Sequence, residues 1–488
     1  MKLPCVHRLA LSLAIPVALA GCAGGMRHAT MRPDIARLTA SDVVAGICNG
    51  SFTSAEVTRA YLDRAKARAD HNAFVALDEA GAMQAARDAD VRRRAGGACL
   101  QLQGLPIVVK DNIQVAGLAA TAGTPALKNF VPTADAPVVK KLRDAGAVIL
   151  GKTNMHELAF GISGYNPAYN TSANVGVRNA YDVMKMAGGS SSGSGVAIGA
   201  RMAPAGLGTD TGGSVRIPCA LNGCASLRPT IGRYPQGGIA PISHTRDTAG
   251  PMGISMADVD LLDRVITGEP AAAPVDLHRV RLGVVNDFLA NLDADTSAAF
   301  DAALGKLKAA GVTVVSVAMP QLAALNANVS FPIALYEAYD DMVAYLRSYN
   351  TGVTIQQLAA QIASPDVKGT YEGLVIPRVL PTPSGGVTPA APVYQAAMAT
   401  HRPALIELYA DTFATTGSMA LFFRRRQEPR CPPTRTPAAS RTSCSSSRTP
   451  TPGAMRACPG SSCRWALARP ASFRSAWNWM DRPAATGG

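Results

Sequence analysis

The 488-residue sequence lacks several features that would assign it to other classes of protein. It has no internal repeat, so a solenoid or a propeller is not expected. No spacing of cysteine and histidine fits a zinc site, and no metal is predicted. Its composition, with 48% hydrophobic and 17% charged residues, differs from that of a disordered chain. A chain of this length can bury the core of a large globular enzyme.

Net positive charge is small over most of the chain, although that of the whole sequence is +13. Residues 424–488 hold twelve arginines, no lysine and only two acidic residues, so this tail contributes +10. The remaining body carries only +3. Such a balance provides no uniform basic surface, and we expect no nucleic-acid partner.

Histidine, the usual general base of a serine hydrolase, is sparse in the body of the chain. His156 in NMHELAFG, a predicted helix, and His244 in PISHTRD, a predicted loop, are the candidates for a Ser–His pair. A lone histidine more often has a structural role. Lys110 offers the alternative, because it ends the apolar run LPIVVK. Burial there would lower its pKa and leave a neutral amine that acts as a base, whereas a lysine that reaches solvent from a strand end would have no such role.

Glycine and serine are concentrated in two segments, GGSSSGSG at 188–195 and GTDTGGSVRIP at 208–218. Ser190 and Ser214 lie in these segments, 24 positions apart. Glycines allow tight turns that aim successive backbone N–H groups at one point, where they can stabilise an oxyanion. A serine nucleophile also needs a base. Together with Lys110, the two serines therefore predict an amide-cleaving enzyme.

Helical and strand-like segments alternate along the chain, which indicates a layered α/β fold. Helices are predicted over 53–70, 81–94, 138–145, 193–202 and 296–310, and strands over 72–77, 105–109, 147–150, 280–285 and 312–317. The strand–helix–strand unit at 280–317 predicts a parallel pair of strands. Residues 324–405 are predicted to be mostly helical, with an interruption at 377–392, and are expected to shape the substrate side.

Five motifs occur in a fixed order: LPIVVKDNI, GKTNMHELAFG, GGSSSGSG, GLGTDTGGSVRIP and SLRPTIGR. In this order they resemble the amidase signature family, from about residue 54 to 254 and more loosely to 423. The resemblance implies an α/β fold with a large mixed central sheet covered by helices on both faces. It also implies hydrolysis of a carboxamide, with release of ammonia or an amine and without a cofactor. KTNMHELAFG further resembles arylacetamide-type amidases, such as those that act on indoleacetamide or mandelamide.

The family's roles can be carried to matching positions of this sequence. Ser214 matches the acylated nucleophile, and Lys110 matches the lysine base. Ser190 matches the serine that bridges them, whose peptide bond to the preceding residue, here Gly189, is cis in the family. The oxyanion-hole backbone matches Thr211, Gly212, Gly213 and Ser214, and supporting roles match Ser191, Asp210 and Arg216. The expected partner is a small-molecule amide.

The N-terminal residues 1–22 are predicted to be a signal peptide, since a short basic start precedes an apolar run that is too short for a stable membrane span. Leu19-Ala20-Gly21-Cys22 resembles the lipobox of bacterial lipoproteins, which implies lipidation of Cys22. The chain is then expected on the periplasmic side, anchored to the outer membrane. A plain secretory signal is the alternative. Residues 23–52 are expected to be a linker, and 53–423 the amidase signature domain.

Four cysteines of the body remain after the signal peptide and the tail are set aside: Cys48, Cys99, Cys219 and Cys224. Export would permit disulfides, but the sequence leaves their pairing open. The oligomeric state is open as well.

Residues 424–488 differ abruptly from the rest of the chain. Isoleucine and valine disappear, and arginine, proline, serine and cysteine dominate. Our interpretation is a frameshift, in the genome or in its reading, near residue 424. A genuine basic tail that binds lipid headgroups or nucleic acid is the alternative. Translation of the DNA after codon 423 in the other two frames distinguishes them, because a frameshift requires an amidase-like ending in one of those frames.

Two other functions compete with amide hydrolysis by this chain alone. One is the glutaminase (A-type) subunit of a tRNA-dependent amidotransferase, against which the signal peptide argues. The other is an inactive, lipid-anchored binding protein with a damaged C-terminus.

Overall fold

The computed structural model describes residues 34, 36–170, 176–289 and 292–422. The predicted signal peptide with Cys22 and the tail 424–488 therefore lie outside the described residues. Within the described ranges, no helix is both long and apolar enough to cross a membrane.

The described residues form α-helices and β-strands in alternation over the first half of the chain. The α-helices are α1 Ala40–Asn49, α2 Ser54–Ala67, α3 Glu79–Arg94, α4 Pro137–Asp144, α5 Ser192–Gly199, α6 Arg216–Asn222, α7 Met256–Thr267, α8 Ala294–Ala309, α9 Leu322–Ser348, α10 Ile355–Gln361, α11 Pro365–Thr370, α12 Ala390–Ala396 and α13 Arg402–Thr416. The strands are β1 Phe74–Leu77, β2 Pro106–Lys110, β3 Val148–Thr153, β4 Ala205–Thr209, β5 Ala225–Ser226, β6 Ala249–Gly253, β7 Arg281–Val285, β8 Thr313–Val317, β9 Val379–Pro381, β10 Val387–Pro389 and β11 Ala420–Phe422. The helices and strands predicted from periodicity are confirmed, with small shifts in their ends.

A six-stranded mixed sheet lies at the centre, in the order β1-β3-β2-β4-β6-β5. The strand β2 is parallel to both β3 and β4, and all five of its residues are buried, as is usual for parallel strands covered on both faces. Since Val109 pairs with Leu207, the carboxyl ends of β2 and β4 lie at the same edge of the sheet. This register brings Lys110 and Thr209, the last residues of the two strands, together. The predicted α/β fold with a central mixed sheet is confirmed.

The helix α2 shows how the sequence fixes the helices that pack on this sheet. Thr53 and Glu56 form a reciprocal capping box at its start, which satisfies backbone donors that the first turn leaves unpaired. Its apolar face buries Val57, Tyr61 and Leu62 completely. Contacts with the central strands are also made by α3, α5 and α7.

The predicted parallel pair at 280–317 is confirmed, because β7 and β8 are parallel. These strands belong to a separate three-stranded sheet, in which β11 pairs in parallel with the other side of β7. Phe422 of β11 stacks on Phe300 of α8, with ring centroids 5.1 Å apart. Residues 420–422 therefore contribute a strand to this second sheet.

The region after β8 is mostly helical, from α9 to α13, as predicted. The interruption expected at 377–392 is a two-stranded hairpin of β9 and β10. The helices α9 and α10 bury Leu335, Met342 and Leu358 in a second apolar core, which includes residues of the loops beside the central sheet.

Two segments differ from their predictions. Residues 40–49, inside the expected linker 23–52, form α1, since Ala40, Val43 and Ile47 are buried and the helix packs on α7.

The motif NMHELAFG is not an α-helix. It contains only the short 3-10 turn Glu157–Ala159, in which Leu158 and Ala159 have positive φ angles of 51° and 60°. This conformation lets the Leu158 N–H donate to the Ala122 carbonyl outside the motif.

Candidate active site

Lys110 lies at the end of β2 and is fully buried. Its Nζ donates hydrogen bonds to Ser190 Oγ at 2.8 Å and to Thr209 Oγ1 at 2.6 Å. Burial lowers the pKa of Lys110 from 10.5 to about 7, although the carboxylates of Asp210 and Asp247 act in the opposite direction. A large share of the Lys110 amine is therefore neutral at neutral pH and can accept a proton.

The two serine turns meet at the same place. The Gly189–Ser190 peptide bond is cis, which confirms the expectation from the resemblance. The Ser191 N–H donates to the Ser214 carbonyl at 3.1 Å and so joins the turns through their backbones. Ser190 is fully buried beside Lys110, whereas Ser214 keeps 8% of its surface exposed. Lysine, first serine and second serine are thus arranged from the interior toward the surface.

The structure contains one side-chain link of the predicted relay, the hydrogen bond from Lys110 to Ser190. Within the described part of the chain, no hydrogen bond joins the hydroxyls of Ser190 and Ser214. Ser191, predicted to have a supporting role, binds the end of β4. Its Oγ donates to the Thr209 carbonyl at 3.1 Å and accepts from the Thr209 N–H at 3.2 Å.

Thr209 is a site residue that the sequence reasoning missed. Its Oγ1 accepts hydrogen bonds from both Lys110 Nζ and Asn112 Nδ2, the latter at 3.2 Å. The hydroxyl therefore fixes the direction of the lysine amine. Its position at the end of a strand, inside the motif GTDTGGSVRIP, was the available signal. The strand register needed to place it beside Lys110 was not visible in the sequence.

Asp210 organises the loop that carries Ser214. Its buried carboxylate accepts from Arg216 Nη2 and Arg228 Nη1, each at 3.0 Å, and from the Gly213 N–H at 2.6 Å. A buried carboxylate needs such partners, because an unpaired charge in the interior is strongly unfavourable. Asp210 and Arg216, both predicted to have supporting roles, thus contact each other directly. Arg228 belongs to the motif SLRPTIGR and was not assigned a role.

The four residues matched to the oxyanion hole differ in the hydrogen-bond acceptors of their backbone N–H groups. The Gly213 N–H is donated to Asp210 and is therefore directed into its own loop, which departs from the predicted role. The N–H groups of Thr211 and Ser214 have no protein acceptor among the described residues. The Thr211 Oγ1 donates to Asp247 Oδ1 at 2.5 Å, and this contact anchors the loop from outside.

The two histidines considered as bases lie in other hydrogen-bond networks. The His156 ring contacts Asp366 Oδ2 at 3.0 Å and Ser163 Oγ at 3.3 Å. His244 is exposed, and its Nδ1 lies 3.0 Å from Asp341 Oδ1. In the region that the structure describes, neither ring hydrogen-bonds to Ser190 or Ser214, so the geometry does not support a Ser–His pair.

One group of side chains could contact a cation. Ligand atoms of His244, Glu337 and Asp341 lie within 4.8 Å of one another. The Glu337 carboxylate already accepts hydrogen bonds from Ser243, Thr245 and Tyr394, which supplies a structural reason for its burial. We assign no metal to this group.

The fold and the buried Lys110–Ser190 pair agree with the class of amide-hydrolysing enzymes, and comparison with known proteins indicates the same class. A family model described as Amidase matches residues 56–376, and the chain belongs to this family. It is 47% identical to mandelamide hydrolase of Pseudomonas putida over 377 residues, which cover 77% of this chain and 74% of the relative. Indoleacetamide hydrolase of Agrobacterium vitis is 40% identical over 318 residues, 65% of this chain and 66% of the relative.

A solved structure gives the same result for the fold. The native peptide amidase of Stenotrophomonas maltophilia superposes with a TM-score of 0.67 at 30% identity, over 80% of this chain and 84% of that one. The protein is therefore an amide-hydrolysing enzyme.

Proposed function

We propose that the protein hydrolyses the primary amide of an arylacetamide-like substrate through an acyl-enzyme on Ser214. The observation that carries the mechanism is the 2.8 Å hydrogen bond between Lys110 Nζ and Ser190 Oγ, made by a lysine whose pKa is lowered to about 7 by burial. A base with a pKa near the working pH transfers protons most effectively.

The reaction begins with neutral Lys110. Lys110 takes the proton of Ser190 while Ser190 takes that of Ser214, and the Ser214 Oγ attacks the amide carbon. Backbone N–H groups of the 211–214 loop bind the oxyanion, a contribution of about 3–4 kcal/mol per donor in other enzymes. The proton on Lys110 then returns through Ser190 to the leaving nitrogen, ammonia departs, and water hydrolyses the ester with the same groups in the same roles.

The substrate class is supported by the relatives. Mandelamide and indoleacetamide, named for the activities of two of them, both carry an aromatic group on the carbon next to the carboxamide. A resemblance to arylacetamide amidases in KTNMHELAFG points the same way. We therefore expect turnover to require the aryl group.

The test measures ammonia release from mandelamide, phenylacetamide and indoleacetamide, with lactamide as a substrate that lacks the ring. We expect Ser214→Ala, Ser190→Ala and Lys110→Ala each to lose at least a hundredfold in kcat, because each removes one member of the relay. Ser226→Ala, a buried serine of β5 outside the relay, is the matched control. Hydroxylamine added to the wild type should trap the acyl group as a hydroxamate. Equal rates for wild type and Ser214→Ala would exclude Ser214 as the nucleophile.

The same assay distinguishes amide hydrolysis by this chain from the two competing functions. A glutaminase subunit would release ammonia from glutamine and would need a partner subunit for full activity. An inactive binding protein would release none from any amide, and its rate would match that of Ser214→Ala.

We further propose that the protein is exported and is lipid-anchored through Cys22 to the outer membrane, on its periplasmic side. The N-terminal pattern supports this proposal. Two disulfides, Cys48–Cys99 and Cys219–Cys224, add support, since disulfides persist mainly in oxidising compartments. Labelling of cells with a radioactive fatty acid tests it. The wild type should be labelled and found in the membrane fraction, whereas Cys22→Ala should not be labelled.

A further inference from the structure

We propose that Arg246 is a positioning residue that orients the Thr211–Gly212 peptide of the oxyanion loop and couples this loop to helix α9. The inference rests on the proposed function, because that function gives the 211–214 loop its role. Arg246 lies in the motif PISHTRD, two residues after His244.

The Arg246 guanidinium contacts both structures. Its Nη2 donates to the Thr211 carbonyl at 3.4 Å, and its Nη1 donates to the Ser330 carbonyl of α9 at 2.6 Å. Nη2 is also the nearest atom, at 3.9 Å, to the position that a Cβ on Gly212 would occupy. The guanidinium therefore lies alongside the Thr211–Gly212 peptide.

The geometry of the peptide bond determines the direction of the Gly212 N–H. Among the described residues the cis peptide is Gly189–Ser190, so the Thr211–Gly212 bond is trans. In a trans peptide the C=O and the following N–H point in opposite directions. Because the Thr211 carbonyl is held toward Arg246, the Gly212 N–H is directed away from the guanidinium. Asp247, the next residue, holds the Thr211 side chain, so two consecutive residues fix Thr211 from two sides.

The segment 243–246 forms a bridge to α9, with a hydrogen bond from each of its four residues. Ser243 and Thr245 bond to the Glu337 carboxylate, His244 to Asp341 and Arg246 to the Ser330 carbonyl. Within this bridge, Arg246 is the residue that also binds the oxyanion loop. A movement of α9 on substrate binding would therefore be transmitted to the Thr211–Gly212 peptide through the Arg246 guanidinium.

The charge of Arg246 fits the same role. Its Nε is buried and lacks a hydrogen-bond partner among the described residues. Burial and the neighbouring Arg228 lower the pKa of Arg246 to about 10, so the guanidinium remains cationic at neutral pH. The positive charge strengthens the hydrogen bond to the Thr211 carbonyl, because hydrogen bonds from an ionised donor are stronger than neutral ones.

The experiment compares Arg246→Gln and Arg246→Lys with the wild type and with Arg233→Gln. Arg233 is the matched control because its guanidinium is also partly buried and paired, with Asp263 and Glu269, but it does not contact the oxyanion loop. Steady-state kinetics on mandelamide give kcat and KM. Inhibition by phenylacetaldehyde, which forms a tetrahedral adduct with a serine, and by phenylacetate, which forms none, separates transition-state from ground-state binding.

We expect Arg246→Gln to lower kcat about 10- to 100-fold, somewhat less than the loss of an oxyanion donor. Affinity for phenylacetaldehyde should fall by a similar factor, while KM and the inhibition constant of phenylacetate change less than twofold. Arg246→Lys, which keeps the charge with fewer donors, should recover part of the loss. Thermal melting of every variant reports on folding.

Two results would overturn the inference. One is an unchanged kcat and unchanged aldehyde affinity in Arg246→Gln. The other is an equal loss of affinity for phenylacetaldehyde and for phenylacetate, together with a lower melting temperature, which would indicate a structural role only. Failure of the proposed function is seen separately, because Ser214→Ala would then turn over mandelamide as fast as the wild type.

Discussion

The lowered pKa of Lys110 predicts how the activity depends on pH. Burial reduces this pKa from 10.5 to about 7, and only the neutral amine can take a proton from Ser190. The value of kcat/KM for mandelamide should therefore rise with pH and level off above about pH 7. Below that value it should fall tenfold per pH unit, to about 1% of its plateau at pH 5. The measurement is kcat/KM from pH 5 to 9 at constant ionic strength, because this parameter reports on the free enzyme.

A histidine base would give a similar profile, because an ordinary histidine titrates near 6.5. Three variants resolve this ambiguity. His156→Asn and His244→Asn should retain the transition near pH 7 if Lys110 is the base. Asp247→Asn should move it to lower pH, since the Asp247 carboxylate raises the pKa of Lys110. The reasoning would be refuted by a flat profile between pH 5 and 9, or by a transition that disappears in either histidine variant.

Three further predictions concern stability, measured as the free energy of unfolding in urea. Gly161→Ala places a Cβ 2.1 Å from the His156 ring and should destabilise the fold by about 1–3 kcal/mol. Gly305→Ala, in open space on α8, should instead stabilise the fold by up to about 1 kcal/mol. A gain of stability in both variants would contradict the packing around Gly161. Replacing Cys48 and Cys99 together by serine should cost about 2–4 kcal/mol, and non-reducing peptide mapping that finds both thiols free would refute the disulfide. Asp210→Asn should cost about 3–5 kcal/mol because it breaks a buried ion pair, and a change below 1 kcal/mol would contradict that assignment.

The sequence predicted those parts of the site that lie within continuous motifs. Lys110 follows an apolar run, and Ser190 and Ser214 lie in glycine-rich turns, so residue chemistry and local pattern were sufficient to single them out. Their contact with one another required the resemblance to a family, since 80 residues separate the lysine from the first serine that it binds.

The missed residues act through strand register and distant segments. Thr209 reaches Lys110 only because β2 and β4 are parallel and in a particular register. Arg246 and Asp247 reach Thr211 from a loop about 35 residues further along the chain. Helix α1 was missed for a different reason, because its capping box, Thr39 and Asp42, was present in the sequence but was not considered. Long-range pairing, rather than local propensity, sets the limit on such predictions.

The burial of Lys110 links the stability of the fold to its chemistry. In the unfolded chain this amine would have a pKa near 10.5, whereas in the fold it is about 7. Between these two values the unfolded state binds more protons, so the contribution of Lys110 to stability becomes more favourable as pH rises from 7 to 10.5. Below pH 7 the amine is protonated in both states, and its desolvation opposes folding in full. Acidification therefore acts in two successive ranges: it weakens the fold between pH 10.5 and 7, and it removes the proton acceptor below about pH 7. Thr209 and Ser190 offset part of this cost, because their hydroxyl oxygens accept hydrogen bonds from the buried ammonium group.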